Sequence, residues 1–159
     1  MKRRIAAALA VLIVVVAFAG WLYLTRPTQG SSGFEVILAS NGSVLISDQD
    51  VSVYNATSHG FNLTAGCVDR MKGMELYHKS LEVRLDGRLL DNGSFWSYVD
   101  SMTPPAGISL LDIVLVQNGH STSFLMEACY PSGYYVNCTA PSYFGDIATH
   151  FQGLGKLVS

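Results

Sequence analysis

The chain has 159 residues, 49% apolar and 14% charged, with a formal net charge of −2 and a mean hydropathy of +0.28. That balance excludes a disordered polar chain, and the length excludes two full-sized domains. Lys2, Arg3, Arg4 and Arg26 are the only cations before residue 34 and all twelve acids follow it, so residues 34–159 carry six cations against twelve anions, a formal −6; a basic footprint for nucleic acid is excluded.

In chain order, the basic triplet Lys2-Arg3-Arg4 precedes twenty uncharged residues, 5–24. As a helix rising about 1.5 Å per residue this run spans roughly 30 Å, the hydrocarbon thickness of a bilayer. Trp21 and Tyr23 near its end suit the headgroup layer, and the triplet orients its own side toward the cytoplasm. A cleavable secretory signal competes, because Ala17-Phe18-Ala19 offers a small-residue cut site. The apolar stretch continues past that cut through Leu24, which favours an uncleaved anchor, and twenty such residues behind a basic triplet argue against a buried globular helix. The pilin processing pattern is missing: no Gly precedes the run and no Glu sits just inside it.

Residues 25–33, with Pro27, Gly30, Ser31, Ser32 and Gly33, read as a flexible linker. The expected organisation is a cytoplasmic stub at 1–4, a transmembrane helix at 5–24, the linker, and an extracytoplasmic domain over 34–159. Strands are expected at 34–40 and 44–46 around Asn41-Gly42, and at 51–54 with a return through Phe61-Asn62-Leu63. Thr64 offers an N-cap to a helix over 65–74, in which Cys67, Val68 and Met71 share a face. Residues 81–85 alternate, Asp86-Gly87 forms a second hairpin turn, and 88–90 return toward Ser94-Phe95-Trp96. The run 108–116 reads as a central buried strand, with 123–128 pairing back on it. A last helix is expected from a Ser142 cap, with Phe144, Ile147 and Phe151 facing the core. The expected fold class is α+β: an N-terminal transmembrane helix followed by a small, mostly antiparallel sheet with two helices on one face.

Two stretches, His59 to Gly66 and Leu81 to Leu90, with a Leu-Thr helix start and a Leu-Asp-Gly turn, resemble the head subdomain of the large extracytoplasmic domain of the SecD protein-export subunit. The resemblance covers about forty residues and implies a strand, helix, strand, hairpin core. The family's later glycine-rich segment and multi-pass part are not found in these residues. The stretches from Val53 to His78 and from Tyr130 to Gly133 are also similar to uncharacterised archaeal single-anchor membrane proteins. Neither resemblance carries an active site onto a residue of this chain.

Five of the six Asn begin an N-x-Ser/Thr sequon: Asn41, Asn55, Asn62, Asn92 and Asn137. Chance gives about one, so N-glycosylation outside the cell is an expectation, although Asn-Gly-Ser at Asn41 and Asn92 is also ordinary turn chemistry. Of three cysteines, Cys129 and Cys138 flank a turn and are a candidate disulfide, leaving Cys67 as a buried thiol. No C-x-x-C or H-x-x-x-H spacing prepares a zinc site, and Asp48 and Asp50 lack the rest of a calcium loop, so no metal or cofactor is expected. His59, His78, His120 and His150 lie at turn-like places and read as solvated or locally hydrogen-bonded, and no G-x-S-x-G elbow is present; no catalytic residue is assigned. Aromatic rings concentrate in Phe95, Trp96 and Tyr98 and in a second stretch ending at Phe144. Core packing explains most, but Tyr130, Tyr134, Tyr135 and Tyr143 are candidates for an exposed partner patch. The functional expectation is a single-pass module binding an unidentified protein partner, its other contact being the lipid bilayer through residues 5–24. An extracytoplasmic hydrolase and a structural subunit of a surface layer are the alternatives.

Overall fold

The structure is a computed structural model, described here over residues 32–128, 130–131 and 140–159. Within the compact unit Ser31–Ser159, alternation of apolar and polar residues produces strands and the spacing of Phe144, Ile147 and Phe151 produces a helix. Nine strands form one sheet: β1 Phe34–Leu38, β2 Ser43–Ser47, β3 Val51–Asn55, β4 Gly60–Leu63, β5 Ser80–Leu85, β6 Arg88–Trp96, β7 Ile108–Leu111, β8 Ser123–Glu127 and β9 Leu157–Val158. Their spatial order is β2-β1-β5-β6-β7-β8-β4-β3-β9. The pairs β6/β7 and β3/β9 are parallel and the others antiparallel. Three helices accompany the sheet: α1 Ala65–Met71, α2 Ile113–Gln117 and α3 Tyr143–Gly153.

This corrects the expected small, mostly antiparallel sheet with two helices. The sheet is nine-stranded and mixed, and the helices number three among the described residues. The main cause lies in the apolar run 108–116. It is not one strand: β7 ends at Leu111, Asp112 adopts a left-handed conformation with φ +65°, and residues 113–117 coil into α2. An unbroken apolar run has no periodicity to separate a buried strand from a buried helix, and the single polar residue within its second half marks the break. The expected transmembrane helix at 5–24 lies outside the described residues. Among the described residues no helix is long and apolar enough to cross a membrane.

Thr64 caps α1, its hydroxyl accepting from the Cys67 N–H at 3.4 Å, and Cys67, Val68 and Met71 are buried. Gly73 follows with φ +77°, and α1 stops three residues before the expected end. Ser142 precedes α3 without a side-chain cap bond. All three helices deliver side chains to one core, in which Phe61 meets Phe34 and Phe124 at 5.1 Å and Tyr54 at 4.7 Å. Burial pushes the Tyr54 phenol up to about 12, and burial first, with the Asp50 charge adding to it against Arg70, pushes the Cys67 thiol up to about 11.

Candidate functional site

Register places the core side chains Phe95, Leu110 and Met126 side by side on one face of β6, β7 and β8. Since strand side chains alternate, the opposite face carries a row of Ser80, Ser94, Ser109 and Glu127 across β5 to β8, followed by Trp96, Leu111 and Leu125. This second face is covered as well: Ser94 is 2% exposed, Ser109 1% and Trp96 5%. Ser94 Oγ, Ser109 Oγ and Trp96 Nε1 are the buried side-chain atoms without a hydrogen-bond partner among the described residues. Leaving each unpaired costs about 1–3 kcal/mol, so three on one patch of two paired strands mark a place not optimised for stability alone.

Residues 97–107 lead from β6 into the parallel β7. Gly93 and Gly107 allow the strands to meet closely, because a Cβ on Gly93 would lie 2.0 Å from the Ile108 carbonyl oxygen, and one on Gly107 2.2 Å from that of Asn92. The connection is pinned at its base. Asp100 Oδ2 accepts from the Tyr77 hydroxyl at 2.5 Å and pairs with His78 Nε2 at 2.6 Å, while its Oδ1 accepts from the Met102 N–H at 2.9 Å. These bonds, Tyr77's first, hold the Asp100 carboxyl down at about 2, and the same contact lifts the Tyr77 phenol to about 12. The His78 ring lies against Tyr77 at 3.9 Å and Trp96 at 4.3 Å. Beyond the pin, Val99 is 89% exposed and Met102 57%.

On the other flank the Tyr98 hydroxyl donates to Glu127 at 2.6 Å, and Tyr98 meets Tyr130 edge-to-face at 5.3 Å. Asp112 donates its N–H to the Trp96 carbonyl, and its carboxylate accepts weakly from Ser97 and from the Tyr98 N–H, both at 3.4 Å. Burial first, then the charges of Glu127, Asp112 and Asp100, raise the Tyr130 phenol, so all three carboxylates act on one ring. Burial, the Glu127 bond and the Asp112 charge raise Tyr98 likewise. His78 and Asp112 both hold positive φ, at +62° and +65°, strain of the kind that collects at binding sites.

Among the described residues no Lys or Arg pairs with Asp100, Asp112 or Glu127. From Leu89 to Gly155 the chain has no Lys or Arg, but it has Asp91, Asp100, Asp112, Glu127 and Asp146. The ion pairs of Lys and Arg among the described residues go to Asp50, Asp69, Glu82 and Asp146. No group of three His, Cys, Asp or Glu side chains among the described residues is placed to hold a metal ion. The arrangement therefore presents aromatic faces and separated carboxylates, a setting that favours an organic cation.

The remaining expected residues are dispersed. Tyr130 joins this face, whereas Tyr143 donates to Asp91 at 2.8 Å and packs on Phe144; Tyr134 and Tyr135 lie outside the described residues, as do Cys129, Cys138 and Asn137. Asn41 is exposed in the turn between β1 and β2, Asn62 is exposed on β4, and Asn92 is exposed within β6, paired with Glu82 rather than in the expected turn. Asn55 Oδ1 is occupied by the N–H groups of Thr57 and Ser58. The Asp48 and Asp50 turn is not merely solvated: Asp48 Oδ1 accepts from the Phe34 N–H and pairs with His150 Nε2 at 2.8 Å, and Asp50 takes Ser47 and Arg70. His150 belongs to α3 rather than a turn. His59 is stacked on Phe144 at 3.8 Å, bonded to Tyr54 and lowered by burial. A recess of about 260 Å³ lies beside Phe34, Glu35 and Asp48, but the Asp48 carboxylate there is already used in joining β1 to α3. No Ser, Thr or Cys side chain among the described residues bonds a histidine, so the His78–Asp100 pair has no nucleophile attached to it.

The composition of the second face escaped the sequence reading, apart from Trp96 and Tyr98. The signal was the absence of Lys and Arg over 67 consecutive residues containing five acids. Comparison with protein-family models, curated proteins and solved structures finds no significant match.

Proposed function

We propose that this protein is a binding module held outside the cell by a membrane anchor at residues 5–24, and that it binds a protein partner through residues 97–107, Tyr98 among them, and the adjoining Tyr130 and Glu127. One observation carries the reading: Val99 and Met102 project into solvent from a connection whose base is fixed by Asp100 and Tyr98. Exposed apolar side chains on a connection whose backbone is already tied down lose less freedom when a partner covers them. A hydrolase reading receives less support, because Asp100 occupies His78 Nε2 and no Ser, Thr or Cys side chain among the described residues bonds that ring.

The test is co-purification of the full chain from detergent-solubilised membranes, comparing the natural protein with the paired substitutions Val99→Asp and Met102→Asp. A partner retained by the first and lost by the second is expected. A protein that purifies alone and hydrolyses model esters or peptides contradicts the reading. The anchor is tested separately by Val14→Arg, which should move the chain to the soluble fraction, since a charge at the centre of a spanning segment costs about 2.5–3.5 kcal/mol.

A further inference from the structure

We infer that the partner places a basic side chain, arginine or lysine, in the corner formed by the Tyr98 and Tyr130 rings, where Glu127 and Asp112 receive its charge. The inference rests on the binding-module reading and adds the chemistry of what is bound. Three independent features of the site point to it.

The first is charge. Asp100, Asp112 and Glu127 all raise the one phenol of Tyr130, yet among the described residues no Lys or Arg pairs with any of the three. Asp100 is engaged by Tyr77, His78 and the Met102 N–H. Among the described residues Glu127 takes one hydrogen, from Tyr98, and the Asp112 carboxylate two contacts at 3.4 Å, so these two carboxylates keep acceptor capacity. The second is ring geometry. Tyr98 and Tyr130 meet at 84° with centroids 5.3 Å apart, a corner that offers one ring face to a cation while the other ring walls it in.

The third is the unpaired hydroxyl of Ser109. Its Cα is paired with that of Glu127 and both side chains rise from the same face of the sheet, yet Ser109 Oγ is buried without a partner among the described residues. A guanidinium or ammonium group at Glu127 brings several N–H donors, and this hydroxyl is an acceptor beside it. A metal ion fits less well, because the carboxylates do not converge as ligands. The exposed Val99 and Met102 place the expected basic residue within an apolar stretch of the partner.

The probe is a fluorescently labelled nonapeptide of Leu and Ser with one central Arg, titrated into the full chain in mild detergent and followed by anisotropy. The controls are the same peptide with citrulline, which keeps the shape and removes the charge, and choline as a small competing cation. Saturable, salt-sensitive binding of the Arg peptide is expected, with the citrulline form and the Glu127→Gln and Asp112→Asn proteins each about tenfold weaker. Asn tolerates the left-handed backbone at 112, so Asp112→Asn tests the charge without disturbing the turn, and Tyr98→Phe controls for loss of the Glu127 bond alone. No binding at millimolar peptide, equal binding of the citrulline form, or choline binding where the peptide fails would overturn the inference. Its failure is distinguishable from that of the module itself: a co-purified partner released by the Val99 and Met102 substitutions but indifferent to Glu127→Gln and Asp112→Asn leaves the module standing and removes the basic side chain.

Discussion

The acids around the start of β1 and those around the end of β6 are the same chemical groups used in opposite ways. At β1, Asp86 accepts the Gly33 N–H, Asp48 joins the Phe34 N–H to His150, and Asp50 joins Ser47 to Arg70. Each carboxylate there closes a long-range link with a backbone N–H or a cationic side chain. At β6, Asp112 and Glu127 meet tyrosine, serine and one distant N–H group, and among the described residues no Lys or Arg pairs with them. The contrast teaches that a carboxylate whose needs are met inside the chain maintains the fold, while one left with spare capacity beside exposed apolar groups is available to a partner.

The comparison can be broken most severely at its footing. Gly93→Ala would drive a Cβ into the Ile108 carbonyl and force β6 from β7; a loss of about 3 kcal/mol or more is expected in denaturant unfolding, with partner binding lost as well. Asp50→Ala removes the acceptor of Ser47 and Arg70; because Arg70 is 56% exposed, the expected loss is about 2 kcal/mol rather than the full cost of a buried pair. Glu127→Gln, the matching change at the other region, should alter stability by less than about 1 kcal/mol in the same measurement. Val99→Asp should leave the melting temperature nearly unchanged, within about 0.5 kcal/mol, and affect only binding.

Acid sharpens the same contrast. Burial lowers the folded pKa of His59, so the unfolded chain takes up that proton first and stability begins to fall as pH drops below about 6.5. Burial pushes the Asp50 carboxyl up, but its Arg70 and Ser47 bonds outweigh this and leave it below the usual range, and Asp100 sits at about 2. Both contribute stability present above the unfolded carboxylate range near 4 and lost as pH falls toward the folded values. Unfolding monitored from pH 7 to pH 2 should show two stages, with Asp50→Asn and Asp100→Asn each flattening the second. At the alkaline end Tyr77 and Tyr54 titrate at about 12 in the folded chain. Stability present below pH 10 should therefore decline between about 10 and 12.

The local elements were largely legible because local chemistry decides them. Asp86-Gly87 adopts the positive φ values +51° and +75° of a tight hairpin, Thr64 caps α1, and Phe144, Ile147 and Phe151 turn to the core together. The sequence reading lost its way where local signals run out. Within 108–116 neither period is visible, and the left-handed Asp112 that separates β7 from α2 is set by its tertiary bond to Trp96. The short β9 has two residues and pairs in parallel with β3, far too little pattern to detect. The candidate site was invisible for a related reason: Tyr77, Tyr98, Asp112 and Glu127 come from separate elements, and only the order β5-β6-β7-β8 brings them to one face.

The most direct measurement pairs a melt with partner retention for two proteins, Asp50→Asn and the double change Asp112→Asn with Glu127→Gln. The account predicts a lowered melting temperature with the partner retained by the molecules that stay folded for Asp50→Asn, and an unchanged melting temperature with the partner released for the double variant. A double variant that melts early, or that melts normally and keeps its partner, contradicts it.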